Sequence, residues 1–165
     1  MSEAKVNEEL IQMTQEGYDK LMTELIRLRS EERYKIAKRI EEARSFGDLS
    51  ENAEYAAAKD EQSKLEGKIQ TLEYQLNRAK VVDSSKLDGS VVAVGTVVTL
   101  IDQSNGNKEF VYSIVSSEEA DPKQGLISSA SPVGRAILNH RKNDVVTVKV
   151  PKGLRKLKIK SIAVA

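Results

Sequence analysis

Residues 40–59 read IEEARSFGDLSENAEYAAAK, and this stretch decides the N-terminal half of the fold. It contains the only short turn between two long helical patterns. Gly47 can adopt the left-handed conformation that ends a helix, and Asp48 can cap the helix that follows. Because two helices joined by so short a turn must fold back on each other, the stretch predicts the tip of an antiparallel helical hairpin.

The two predicted helices, Thr14–Arg44 and Leu49–Val81, carry apolar residues at heptad-like spacing. Steps of three and four residues place each set on one helical face, so the pattern predicts a coiled-coil hairpin about 45 Å long. Thr14 is the predicted N-cap of the first helix. The eight-residue step from Leu28 to Ile36 departs from the heptad and is expected to shift the apolar seam there. The apolar sets are Leu21, Leu25, Leu28, Ile36, Ile40 and Ala43, then Leu65, Ile69, Leu72, Leu76 and Ala79.

Towards the turn, alanine replaces the larger apolar residues. The alanines that continue the stripe are Ala43, Ala53, Ala56 and Ala57. Since small side chains let two helices approach closely, the sequence predicts a thin tip.

After residue 83 the pattern becomes that of β-strands, with five runs rich in β-branched residues. These runs are Val91–Val94, Thr96–Leu100, Phe110–Val115, Val145–Val150 and Leu157–Ile162. Asn105-Gly106 lies between two of them and predicts a hairpin turn. Ser131 and Pro132 predict the start of one helix, because serine is a favoured N-cap and proline is favoured at the first helical position.

These patterns together predict an α+β protein with two domains. Residues 1–82 are expected to form the long antiparallel coiled-coil hairpin, with its tip at about residues 44–59. Residues 83–165 are expected to form a mostly antiparallel sheet with one helix packed on it.

Composition excludes several classes of protein. The absence of cysteine excludes a disulfide framework and a thiolate metal site, and it fits a reducing cytoplasm. No apolar run approaches the roughly 18 residues of a membrane span. Residues 1–80 carry a net charge of −3 and residues 81–165 one of +4. Because neither half has a strongly basic field, another molecule is expected to supply most of the affinity for any nucleic acid.

Asp48 and Glu51 are the residues at the tip that could perform chemistry. They are three residues apart, so both carboxylates can point from the same side of the turn. Carboxylate pairs suit Mg²⁺, which keeps several waters and takes one or two protein oxygens. Asp-x-x-Glu at a helix start is also the pattern of a capping box. Spacing alone favours capping over metal binding.

Positive and aromatic residues surround this pair. Arg44 precedes it and Lys59 follows it, while Lys35, Lys38 and Arg39 continue the basic character along the first helix. These cations form either ordinary surface ion pairs or, as a group, a surface for an RNA backbone. Tyr55 either stacks on a base or covers the alanine-lined tip.

Two motifs carry a resemblance to a known family. Residues 47–59, GDLSENAEYAAAK, match the tip motif of bacterial GreA-type transcript-cleavage factors, and residues 126–138, LISSASPVGRAIL, match a second motif of that family. The resemblance extends over almost the whole chain. It implies that the C-terminal sheet with its one helix is FKBP-like.

The resemblance also implies a function with bacterial RNA polymerase as the partner. The C-terminal domain, with Ser131 and Pro132, would dock at the rim of the polymerase's secondary channel, and the hairpin would pass down it. Asp48 and Glu51 would help to hold the polymerase's second Mg²⁺, which this chain does not hold tightly alone, and to orient a water. Arg44, Lys59 and Tyr55 would contact the 3′ segment of the backtracked nascent RNA.

On this view the chain is a cytoplasmic accessory factor that stimulates the polymerase's own RNA cleavage. It is not itself an enzyme, and we expect a monomer that binds no membrane.

Two departures from the family pattern lie in the C-terminal domain. Asn139-His140 replaces a common Gly-Lys, and Leu157-Lys158 replaces an aromatic residue followed by Glu. Both concern docking, and neither touches the tip. Two other functions remain open: a channel-binding inhibitor that does not stimulate cleavage, and a coiled-coil adaptor in which Asp48 and Glu51 only cap a helix.

Overall fold

The computed structural model describes residues 9–47 and 52–165. The chain divides into two compact units, one spanning Tyr18–Ala79 and one formed by Leu10–Gly17 together with Lys80–Ala165. The first is a helical hairpin and the second a β-sheet with one short α-helix, so the predicted α+β fold class is confirmed. The predicted boundary between residues 82 and 83 stays a prediction.

Three α-helices build the hairpin: α1 (Gln15–Arg27), α2 (Arg33–Arg44) and α3 (Ala53–Asn77). The hydroxyl of Thr14 accepts a hydrogen bond from the Gly17 N–H at 3.0 Å, which confirms the predicted cap of the first helix. The buried side chains that form the hairpin core come from both sides of the turn and are Leu25, Leu28, Leu65, Ile69 and Leu76. The predicted apolar stripes therefore face each other.

A π-helical segment, Leu28–Glu32, joins α1 to α2. It lies where the sequence departs from the heptad spacing. Eight residues from Leu28 to Ile36 exceed two α-helical turns by about one residue, and a wider π turn takes up that residue. Ile36 consequently still packs against the hairpin core.

The ends of the second helix differ from the prediction. Helix α3 begins at Ala53 rather than at about Leu49 and ends at Asn77. The residues that follow form strand β2 (Ala79–Val81), which pairs with strand β1 (Ile11–Met13). The prediction that Ala79 continues the helical stripe is therefore wrong, because pairing with a segment far away in the sequence takes precedence over local helical spacing.

The alanines at the tip are also placed differently from the prediction. Ala43 is buried as predicted, whereas Ala53, Ala56 and Ala57 are exposed and Ala58 is buried in their place. Ala58 precedes Leu65 by one heptad, so it lies on the same helical face.

The second unit contains a five-stranded sheet in the order β5-β4-β3-β7-β6. Strands β4 and β5 run parallel and the other neighbours antiparallel. The strands are β3 (Thr96–Asp102), β4 (Lys108–Val115), β5 (Leu126–Ser128), β6 (Val145–Val150) and β7 (Gly153–Val164). Helix α4 (Pro132–Ile137) contributes Ile137 to the core of this unit.

One predicted strand is absent from the described sheet. In the run Val91–Val94, Val92 and Val94 are buried, but the backbone of Val92 bonds to the loop residues Asn139 and His140 instead of to a strand. Burial explains the apolar composition of this run. An extended loop can bury alternate side chains without joining a sheet.

None of the described helices has the length and hydropathy that crossing a membrane requires.

Candidate functional site

The turn at the hairpin tip begins with a tight backbone arrangement. After α2 ends, the N–H of Ser45 donates to the Glu42 carbonyl at 3.0 Å and that of Phe46 donates to the Ala43 carbonyl at 3.2 Å. Gly47 follows with φ of +112°, in the region that favours glycine, as the sequence predicted.

Asn52 caps the second helix. Its side-chain oxygen accepts hydrogen bonds from the backbone N–H groups of Glu54 and Tyr55, both at 3.1 Å. Its amide nitrogen donates to the Ala43 carbonyl at 2.6 Å, across the turn. The prediction that Asp48 caps this helix is therefore wrong. Asparagine is as good an N-cap as aspartate, and it also has the donor that this second contact requires.

Asp48 and Glu51 themselves lie outside the described residues. Their predicted roles as metal-holding residues stay predictions. Among residues 9–47 and 52–165, no group of three or more histidine or acidic side chains could hold a metal ion.

Tyr55 is half-buried. The guanidinium of Arg44 lies over its ring, with the central carbon 5.9 Å from the ring centroid. Cations are attracted to the face of an aromatic ring. Of the two interpretations that the sequence left open for Tyr55, this contact favours covering the tip over stacking on a base. Arg44 itself is exposed.

Lys59 is exposed one turn further along α3, where its ammonium donates to the side chain of Gln62 at 2.8 Å. Within residues 9–47 and 52–165, no ion pair of Lys59 accompanies this hydrogen bond to a neutral amide. Arg44 and Lys59 thus place two cations on the helices on either side of the turn.

The other cations of the first helix are engaged within the hairpin. Arg39 pairs with Glu61 across the two helices, Lys35 pairs with Glu32 at 3.3 Å, and the Lys38 ammonium lies 4.8 Å from the centre of the Tyr34 ring. These contacts favour the interpretation that Lys35, Lys38 and Arg39 make ordinary surface contacts within the hairpin.

Ion pairs between the helices also change the acidity of their partners. Two hydrogen bonds at 2.9 Å join the Arg33 guanidinium to the Glu66 carboxylate and hold the pKa of that carboxyl below its usual range. The hydrogen bond to Glu61 likewise raises the pKa of Arg39. Arg33 and Glu66 therefore form one ion pair across the two helices, and Arg39 and Glu61 form another.

In the second unit, Ser131 caps α4, and its hydroxyl accepts from the Gly134 N–H at 3.1 Å and donates to the Ser128 carbonyl at 2.6 Å. Pro132 is exposed at the first helical position. A side chain on Gly134 would lie 2.0 Å from the Ser128 carbonyl oxygen, so only glycine lets the helix approach this loop. The start of α4 and its close approach to the loop therefore account for the sequence Ser-Pro-x-Gly. Docking through Ser131 and Pro132 stays a prediction.

Asn139, one of the departures from the family pattern, has φ of +64°. Asparagine tolerates this left-handed conformation better than most residues, so it can replace a glycine here without changing the backbone.

Models of known protein families match the chain over both units. A family model described as "Transcription elongation factor, N-terminal" matches residues 11–81, and one described as "Transcription elongation factor, GreA/GreB, C-term" matches residues 87–164. The chain belongs to the GreA/GreB family. It is therefore a transcription elongation factor.

Individual relatives are similar over nearly their whole length. The chain is 50% identical to transcription elongation factor GreA of Trichlorobacter lovleyi, covering 90% of this chain and 94% of the relative. It is 48% identical to GreA of Clostridioides difficile, covering 91% and 94%. Among solved structures, the crystal structure of GreA factor homolog 1 of Thermus thermophilus is 33% identical, with a TM-score of 0.43 and coverage of 94% and 99%.

Proposed function

We propose that this elongation factor acts with bacterial RNA polymerase in the cytoplasm and stimulates the polymerase to cleave its backtracked RNA. In this proposal the hairpin tip meets the extruded 3′ segment of the RNA, and the second unit docks on the polymerase near Ser131 and Pro132. Hydrolysis of one phosphodiester bond then leaves a new 3′ end from which elongation resumes.

The observation that carries the proposal is that Asn52 caps α3. The strongest structural explanation for Asp48 and Glu51 is a capping box, but the N-cap of α3 is Asn52. Asp48 and Glu51 precede this cap in the sequence, and they follow Arg44 and precede Lys59, both exposed, so function explains the two carboxylates better than capping does.

The donor set fits a shared Mg²⁺. Asp48 and Glu51 would offer two hard oxygen ligands, and an ion that demands six ligands needs others from the polymerase or from water. The ion, when bound, would lower the pKa of a bound water and stabilise charge on the phosphate. Asp48 and Glu51 would orient that water, and Arg44 and Lys59 would bind the RNA backbone.

The test is the double variant Asp48→Asn with Glu51→Gln, added to a halted, backtracked elongation complex of purified polymerase. Cleavage stimulation is expected to fall by about a hundredfold or more, since even outer-shell partners of a metal contribute about 10- to 100-fold. Glu54→Gln, which removes an exposed carboxylate from the first turn of α3, is the matched control and should cleave normally.

Thermal unfolding and competition for polymerase are measured on the same variants, and both should stay near wild type. A double variant that cleaves normally would exclude the proposed role of the pair and leave a structural adaptor. A wild-type protein that binds polymerase but stimulates no cleavage would instead indicate a channel-binding inhibitor.

The accessory role has its own test in the absence of polymerase. Incubation of the protein with free RNA and Mg²⁺ should give no specific fragments, because two carboxylates cannot complete the coordination of the ion. Specific cleavage that persisted through rigorous purification would contradict it.

A further inference from the structure

We propose that Phe46 is the residue at the hairpin tip that stacks on a base of the extruded RNA. The proposal deepens the function proposed above and rests on it. From the sequence alone, this role falls to Tyr55 as one of two alternatives.

Phe46 differs from the tyrosines of the hairpin in what covers its ring. Cations lie over three of them, with Lys38 at 4.8 Å from the ring centre of Tyr34, Arg44 at 5.9 Å from that of Tyr55 and Arg78 at 3.6 Å from that of Tyr74. The fourth, Tyr18, packs against the hairpin core. Phe46 is 67% exposed, and no cation lies over its ring among the residues that the structure describes.

The backbone of Phe46 is held in place even though its side chain is exposed. Its N–H donates to the Ala43 carbonyl at 3.2 Å, and the same carbonyl accepts the side-chain amide of Asn52 at 2.6 Å. One carbonyl therefore connects Phe46 with the end of α2 and the start of α3. A ring on a fixed backbone loses less conformational freedom on binding than one on a loose loop.

Exposed residues of both charges lie near Phe46 in the sequence; Glu42 and Glu54 are acidic, and two cations could follow an RNA backbone. Arg44 lies two residues before it, and Lys59 lies near the start of the second helix, both exposed. Proteins that bind single strands combine cations along the backbone with aromatic rings on which bases stack. Every base has a π-face, so such stacking tolerates any sequence, as a factor that acts on many transcripts requires.

The experiment compares three variants in the cleavage assay with backtracked complexes. Phe46→Leu keeps an apolar side chain but removes the π-face, and it should raise the protein concentration for half-maximal cleavage about tenfold with little change in maximal rate. Phe46→Tyr should behave like wild type. Tyr34→Leu, which removes an aromatic residue that is 61% exposed elsewhere on the hairpin, is the matched control and should have no effect.

RNA that carries a single abasic nucleotide, moved through the extruded segment, identifies the base. With the abasic nucleotide at one position, the wild-type protein should need an about tenfold higher concentration for half-maximal cleavage. The concentration that Phe46→Leu needs should not rise further at that position. If the Leu variant matches wild type, or if its loss persists with an abasic nucleotide at every position, Phe46 does not stack on a base. The second result would indicate contact with the polymerase protein instead.

Cleavage by the wild-type protein distinguishes an error about Phe46 from an error about the proposed function. If wild-type protein stimulates cleavage and Phe46→Leu does so equally well, only the role of Phe46 is excluded. If wild-type protein stimulates none, the cleavage function is excluded and the stacking role with it.

Discussion

At the scale of single residues, Asn52 uses both ends of one amide. Its oxygen accepts two N–H groups of α3 that would otherwise lack partners, and its nitrogen donates to the Ala43 carbonyl at the end of α2. An aspartate here could cap the helix but could not donate. One side chain thus satisfies backbone groups of both helices at the turn.

Replacing Asn52 should therefore destabilise the hairpin in two separable steps. Asn52→Ala removes both interactions and should lower the free energy of unfolding by about 1–2 kcal/mol. Asn52→Asp keeps the cap and loses only the bond to Ala43, so its loss should be about 1 kcal/mol or less. Urea denaturation followed by circular dichroism measures both. Equal stability of the Ala variant and wild type would show that this cap contributes little.

At the scale of elements, the π-helical segment Leu28–Glu32 compensates for one extra residue. Without it, the residues that follow would be rotated by about 100° relative to Leu28, and Ile40 and Ala43 would turn away from α3. Both are buried, with exposed fractions of 8% and 3%. The wider turn therefore keeps one apolar seam continuous along the helices on both sides.

Deleting Ser30 from this segment should consequently be tolerated. The deletion restores the seven-residue step between Leu28 and Ile36, so the segment can become a regular α-helix with an unchanged thermal midpoint or a higher one. Ser30 is exposed, and its hydroxyl donates to the Ile26 carbonyl in the preceding turn, at 2.7 Å.

Deleting Ala37, an exposed residue of the regular helix α2, is the matched control. That deletion rotates Ile40 and Ala43 off the seam and should lower the midpoint by about 5 °C or more. If deleting Ser30 lowers the thermal midpoint as much as deleting Ala37 does, the π-helical segment does not accommodate one extra residue.

At the scale of the whole molecule, Glu119 attaches the N-terminal segment to the second unit. Its carboxylate accepts hydrogen bonds from the N–H and the hydroxyl of Thr14, 105 residues earlier in the chain, and from the N–H and the hydroxyl of Ser116. It also fills the space beside Gly17, where any side chain would collide with it. The segment Leu10–Gly17 therefore belongs to this unit although α1 continues into the hairpin.

Glu119→Ala should lower the free energy of unfolding by about 1–3 kcal/mol, because it leaves several donors around Ser116 and Thr14 without their charged acceptor. Glu118→Ala changes the neighbouring carboxylate and should stay within about 0.5 kcal/mol of wild type. Chemical denaturation of the full chain measures both. Equal effects of the two variants would contradict the role of Glu119 in this attachment.

Much of the fold was predictable because it depends on local spacing. The helical stripes, the turn at Gly47 and the cap at Ser131 each involve residues within a few positions of one another. The short strands β1, β2 and β5 were missed. Three residues carry too little pattern, and pairing with distant segments stabilises such strands.

The sequence by itself determined the α+β organisation, the family and the cations Arg44 and Lys59 at the tip, since these follow from periodicity and from motifs of contiguous residues. Only the tertiary structure decided that Asn52 rather than Asp48 caps α3, and that Tyr55 is half-buried beneath Arg44 while Phe46 is exposed. The reason is that capping and ring exposure depend on where the two helices approach each other across the turn. That approach is set by packing between residues that are distant in the sequence, and local sequence patterns do not describe such contacts.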